Sequence, residues 1–142
     1  MKLSAMKINS AAIEQGEWVG SKNGNPIPDM GDLNLKVRGI GNADFRVLQS
    51  KLFDATPRNE RPNNRLSPAA AERVTIECIV ETILIDWDGV ENDQGEALPF
   101  NKDVARKILS DPDLRPFRDA VMWASAQVGE LRAGDSEGIA KN

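Results

Sequence analysis

The sequence predicts one α+β domain, mainly α-helical, in which a small β element near the amino terminus is followed by about four helices. Three observations carry this expectation. The chain has 142 residues of which 40% are hydrophobic, enough for one modest core and thin for two. From Phe45 onward apolar residues recur at three to four, the period of a helix, whereas Leu33-Asn34-Leu35-Lys36-Val37-Arg38 alternates with the period of a strand. Between such segments stand dense groups of glycine, asparagine and proline. The expected organisation is a poorly patterned segment at 1–15, one mainly helical domain at 16–130 with a flexible loop at 56–66, and a disordered tail at 131–142.

The β element begins at Glu17-Trp18-Val19, where the turn formers of Gly20-Ser21-Lys22-Asn23-Gly24-Asn25-Pro26 join two short extended pieces into a small hairpin within Gly16 to Met30. Leu33, Leu35 and Val37 share one face of the next strand, and its other face is expected to be wet. Gly39-Ile40-Gly41 ends that strand. Asn42 or Asp44 then caps a helix carrying Phe45, Leu48, Leu52 and Phe53, which stops near Ala55, ahead of Pro57. A strand, two glycines and a helix start resemble a dinucleotide fingerprint only superficially. Asp44 occupies the third glycine position, and a plain tight turn is the better reading.

The stretch TPRNERPNNRL at 56–66 has no apolar face to bury and reads as a loop presenting Arg58, Arg61 and Arg65. Ser67-Pro68 is a helix start, a capping side chain followed by proline at the first helical position. The run from Ala69 to Trp87 is rich in β-branched residues, so helix and strand compete. Arg73, Glu77 and Glu81 fall four apart in one charged stripe, and Ile76, Val80, Ile83 and Trp87 recur on a neighbouring face, which favours a helix over the whole run. With Val74, Cys78 and Ile85 on a further side, that helix is apolar over most of its circumference, as for a central helix or one shared with a second copy. A turn follows at Asn92-Asp93-Gln94-Gly95. Asn101 caps a short helix with Val104, Ile108 and Leu109, which stops before Pro112. Asp113 and Pro116 open the last helix, with Phe117, Ala120, Val121, Ala124 and Val128 at helical spacing and Trp123 close by.

Composition narrows the chemistry. There is no histidine, no tyrosine and one cysteine, Cys78, so neither a Ser-His-Asp nor a Cys-His nucleophile system can be assembled. Cys78 lies among apolar residues and reads as a small core side chain. A formal charge of −4 with basic residues scattered along the chain lacks the basic stripe of a nucleic-acid binder, and points to protein partners. Met1 to Ala12 has no continuous apolar signal core, and no run of about 18 apolar residues offers a membrane span. The acidic cluster Asp86, Asp88, Glu91, Asp93 and Glu96 is the one candidate for a hard cation. Calcium-loop spacing fails there, since the sixth position from Asp86 is Glu91 and not glycine, and a solvated acidic loop is expected. The expectation is therefore a non-enzymatic protein with no cofactor and no metal.

The order of Gly16-Glu17-Trp18-Val19, Leu35-Lys36-Val37-Arg38-Gly39, Asn42-Ala43-Asp44-Phe45-Arg46, Trp87-Asp88-Gly89-Val90, Gly95, Pro99-Phe100 and the Ile108-Leu109 helix resembles the tail assembly chaperones of long-tailed bacteriophages. The likeness spans residues 16 to 130 and lies in the order of parts, since no single motif among them is specific. It implies a non-catalytic protein that holds the tape measure protein during tail assembly in the host cytoplasm, self-associates as a homo-oligomer, and is absent from the mature virion. The family also implies a longer, frameshifted form, for which the polar tail from Ala133 is the expected junction.

Helix-in-groove binding then nominates the contact residues: Trp87, Val90, Leu98 and Phe100 around the turn, Phe117, Val121 and Trp123 in the last helix, and Arg58, Arg61 and Arg65 for an acidic partner surface. Large apolar residues at helical spacing are more often core than interface. Two other classes compete: a structural virion protein of the tail tube or tail completion kind, which calls for more strand pattern than this chain has, and a metal-binding domain built on Asp86, Asp88 and Asp93.

Overall fold

The computed structural model describes residues 1–130. Their elements run α1 (Ser10–Gln15), β1 (Glu17–Gly20), β2 (Asn34–Val37), α2 (Ala43–Ala55), α3 (Pro68–Thr82), β3 (Leu84–Asp88), α4 (Lys102–Ser110) and α5 (Arg115–Gln127), with short 3₁₀ turns between them. The architecture is α+β and mainly helical, as the sequence predicts. The three strands form one antiparallel sheet in the order β1-β2-β3; α3 and α5 contact the sheet, α2 lies on α3, and α4 lies on α3 and α5.

Local chemistry places the helices where the capping residues lie. The Asn42 side chain accepts from the Phe45 amide at 2.8 Å, Ser67 Oγ from Ala70 at 3.2 Å, and Asn101 Oδ1 from Asp103 and Val104 at 2.8 and 3.3 Å. Each satisfies amides that a helix start leaves without partners. α2 ends at Ala55 and α4 at Ser110, as expected. The last helix begins with Pro116 in its first turn, while Asp111, rather than Asp113, caps the 3₁₀ turn ahead of it.

The structure corrects the sequence reading at the end of α3. A single helix from Ala69 to Trp87 is expected, yet the helix stops at Thr82 and Leu84–Asp88 is a strand. The β-branched residues are compatible with both forms, and the edge of β2, some fifty residues earlier, supplies the partner that decides between them. Register pairs Val19 with Leu35 and Leu35 with Trp87, so these three stack across the inner face of the sheet. Trp18, Lys36 and Asp86 share the outer face and are half-buried.

The expected hairpin within 16–30 is also corrected. Glu17–Gly20 pairs antiparallel with Asn34–Val37, and the turn-forming residues belong to the longer connection between them. Gly20 permits this close pairing: at its φ of 155° a Cβ would lie 2.0 Å from Asn34 Oδ1 and 2.7 Å from the Leu33 carbonyl. Nor is the far face of β2 wholly wet. Asn34 is buried, accepting from the Lys22 amide and donating to the Asp32 carbonyl, so it ties the connection to the strand.

The weakly patterned first fifteen residues contribute α1, which Asn9 caps and whose Ile13 packs on the core. Asn9 donates its amide to the Gly129 carbonyl at 2.7 Å, and Gly39 donates to Ile13 at 3.0 Å, so this segment is stitched to both ends of the domain. The 56–66 connection contains two 3₁₀ turns, Arg58–Glu60 and Pro62–Asn64. The tail expectation for 131–142, with its frameshift junction, lies outside the described residues.

α3 is the central helix. Ala70, Val74, Ile76, Cys78, Ile79, Val80 and Thr82 are all buried within one chain, against α2, α4 and the sheet. Its charged stripe is occupied as well: Arg73 pairs with Glu60, Glu77 with Arg106, and Glu81 with Arg106 and Lys102. Such exposed pairs contribute about 0–1 kcal/mol each and mainly set how α4 sits on α3.

Burial raises the pKa of the Cys78 thiol, with Glu77 adding to the effect. The unfolded chain therefore loses the thiol proton at a lower pH than the folded one, so this group weakens stability as pH rises past the ordinary thiol range. Cys78 is 1% exposed, and we predict that iodoacetamide alkylates it in native protein at least about a hundredfold more slowly than in urea-unfolded protein, read by mass spectrometry. Comparable rates would mean the α3 environment opens readily.

Candidate partner-binding surface

The residues nominated for contact separate into three groups. Trp87, Leu98, Phe100 and Phe117 meet in one cluster. The Trp87 ring stands edge-on to Phe100 at 5.0 Å and to Phe117 at 5.9 Å, and its indole N–H donates to the Leu98 carbonyl at 2.7 Å. Trp87 is 6% exposed and Val121 is fully buried, so these two act as packing residues and offer no surface. Val90, Leu98, Phe100 and Phe117 are half-buried around them.

That cluster is held by the turn after β3. Asn92 Oδ1 accepts from the amides of Gln94 and Glu96, and Val90 accepts from the Leu98 amide, which returns the chain towards Trp87. Trp87, Leu98 and Phe100 meet around the turn as the sequence predicts. The closure of the loop onto the strand by the indole N–H has no local sequence signal.

The arginines of the 56–66 connection do not act alike. Arg58 and Arg65 are exposed, whereas Arg61 is half-buried with its guanidinium 5.1 Å from the centroid of Phe53. Its Nε is buried without a hydrogen-bond partner among the described residues. Arg61 is thus a strut between the connection and α2, whereas Arg58 and Arg65 form no ion pair among the described residues.

Among the acidic cluster, Asp88 forms an ion pair with Lys22 across the sheet end, and Asp86 accepts from the Trp87 amide at 2.8 Å. The hydrogen bond and charge of Lys22 hold the Asp88 carboxyl below its ordinary range, and Asp88 in turn raises the Lys22 ammonium. Among the described residues no group of three or more acidic or thiol side chains converges on a position for a metal ion. No described helix is long and apolar enough to cross a membrane.

Trp123 belongs to a different surface, which sequence reading does not find. One face of α5 supplies Pro116, Asp119, Ala120 and Trp123, and the 27–30 segment supplies Ile27, Pro28, Asp29 and Met30. Between them lies an open groove of about 580 Å³. Ile27 and Ala120 form its buried floor, Trp123 and Met30 are half-buried on its sides, and Asp29 and Asp119 are exposed at its edges. The available signal was Ile27 and Met30, two apolar residues inside a segment otherwise made of turn formers.

A family model described as YdaY prophage protein matches residues 40–142, more than half of the chain, from the end of β2 onward. The chain belongs to the YdaY prophage protein family. Its phage derivation agrees with the resemblance at that level, and the match takes in α2 to α5 and therefore one wall of the groove. The other wall of the groove, together with β1 and β2, lies before the matched region of this YdaY-family chain. No curated protein and no solved structure matches it.

Proposed function

We propose that this prophage protein is a non-catalytic tail assembly chaperone that binds the tape measure protein in the host cytoplasm and leaves before the tail is complete. The observation that carries this reading is the groove of α5, an apolar, preformed surface with Trp123 on its side and dimensions suited to the side chains of a partner helix. Membership of a prophage family and the order of sequence parts supply the biological setting. The reading assigns partner contact to Trp123, with Val90, Leu98, Phe100 and Phe117 as half-buried neighbours of the turn, and Arg58 and Arg65 as its outlying cations.

The test is co-expression with the tape measure protein of the same prophage, followed by affinity capture and size-exclusion light scattering. Capture of a soluble complex, with this protein missing from purified particles, is the expected result. Failure to capture it, or recovery of the protein as a stoichiometric component of finished tails, overturns the reading in favour of a structural role. The same scattering trace measures whether the protein self-associates.

A further inference from the structure

We propose that the groove between α5 and the 27–30 segment receives an amphipathic helical segment whose apolar side bears lysine or arginine at its margins. This rests on the reading of the protein as a helix binder and adds the chemistry of what it binds. The wall from α5 presents residues 116, 119, 120 and 123, the i, i+3, i+4, i+7 pattern of a single helix face, so the surface extends over about two helical turns, roughly 10 Å. Ala120 in its middle has a small side chain, which lets a second helix approach closely, and Trp123 and Met30 supply the adaptable apolar sides.

Charge selects the occupant. Asp29 and Asp119 are the charged residues that line the groove, and neither forms an ion pair among the described residues. Pro116 stands at the helix start in this wall and contributes no amide proton, which removes one donor that would favour an anion. Two exposed carboxylates flanking an apolar floor match a cation at each margin of an apolar helix face. Asp29 adopts a left-handed backbone conformation with φ of 61°, followed by Gly31 at 55°, so its carboxylate is set at the rim by the turn itself.

The experiment uses the full chain and two synthetic amphipathic peptides of roughly 18 residues that share one apolar face and differ only in lysine or glutamate at the flanking positions. Binding is followed by the indole N–H resonance of Trp123, assigned with Trp123→Phe, and by fluorescence titration of labelled peptide. The lysine peptide is expected to shift that resonance, and Asp29→Asn with Asp119→Asn to weaken it about fivefold, an effect largely lost at roughly 0.5 M salt. Asparagine tolerates the left-handed conformation at 29, and both sites are exposed, so the double variant keeps the fold.

Equal binding of the glutamate peptide, or no loss in the double variant, overturns the charge assignment. No movement of the Trp123 resonance with either peptide overturns the groove as a helix site. If the tape measure protein is captured equally well by Asp119→Lys, the groove proposal fails while the chaperone reading stands; if the lysine peptide binds but the tape measure protein does not, the reverse holds.

Discussion

Replacing Trp87 with alanine is expected to destabilise the protein by about 3–5 kcal/mol, a large share of the roughly 5–15 kcal/mol that holds a domain together. The loss combines three terms with one origin. The side chain leaves a cavity between β3 and the cluster of Phe100 and Phe117, two edge-on ring contacts vanish, and the Leu98 carbonyl loses its indole donor. Trp87→Phe separates them, since it retains most of the packing and gives up the hydrogen bond, and we expect about 1–2 kcal/mol. Urea unfolding curves of the three proteins provide the measurement. A loss below about 1 kcal/mol for alanine would contradict the core assignment and return Trp87 to the surface list.

Asn42 carries the second large effect. It is fully buried, its Oδ1 caps α2 through the Phe45 amide, and its Nδ2 donates to the carbonyls of Gly39 at 2.7 Å and Thr82 at 3.0 Å. Asn42→Ala is expected to cost about 2–4 kcal/mol, from a lost cap of about 1 kcal/mol and two carbonyls left without this donor. Asn42→Asp is the sharper test. As an isolated cap, aspartate equals asparagine, so a purely local role predicts little change. Here aspartate places a charge in a buried site against two carbonyl oxygens, and we expect it to be at least as damaging as alanine. Near-native stability of Asn42→Asp in thermal melts would reduce Asn42 to an ordinary cap.

The pair shows where the sequence is legible. Asn42 is identifiable as a capping residue from its place before the apolar rhythm of Phe45, Leu48 and Leu52, because capping involves amides three residues away. Its donor role reaches Thr82, forty residues on, and nothing local announces it. Leu84–Asp88 behaves in the same way. The apolar spacing of Ile76, Val80, Ile83 and Trp87 fits one continuous helix, and all four are buried. What the spacing does not encode is that the chain leaves the helix after Thr82, since the competing hydrogen bonds are offered by β2.

The candidate site divides along the same line. The meeting of Trp87, Leu98 and Phe100 follows from a turn at Asn92 to Gly95, whose residues write their own geometry through side-chain hydrogen bonds to nearby amides. The groove joins the 27–30 segment to α5 across nearly ninety residues, and half of its lining sits in a stretch that reads as a turn.

The mixed, mainly helical class, the starts of α2, α3 and α4, the lack of histidine and the turn that gathers the aromatic cluster are thus legible in the chain before it folds. These depend on period, composition and hydrogen bonds within a few residues. Packing makes Leu84–Asp88 a strand, brings α1 into the domain, places Trp87 and Val121 in the core, and opens Trp123 onto a groove with two carboxylates at its rim. Those outcomes depend on which distant segments supply hydrogen-bond partners and cover apolar area, and that information is created when the chain packs.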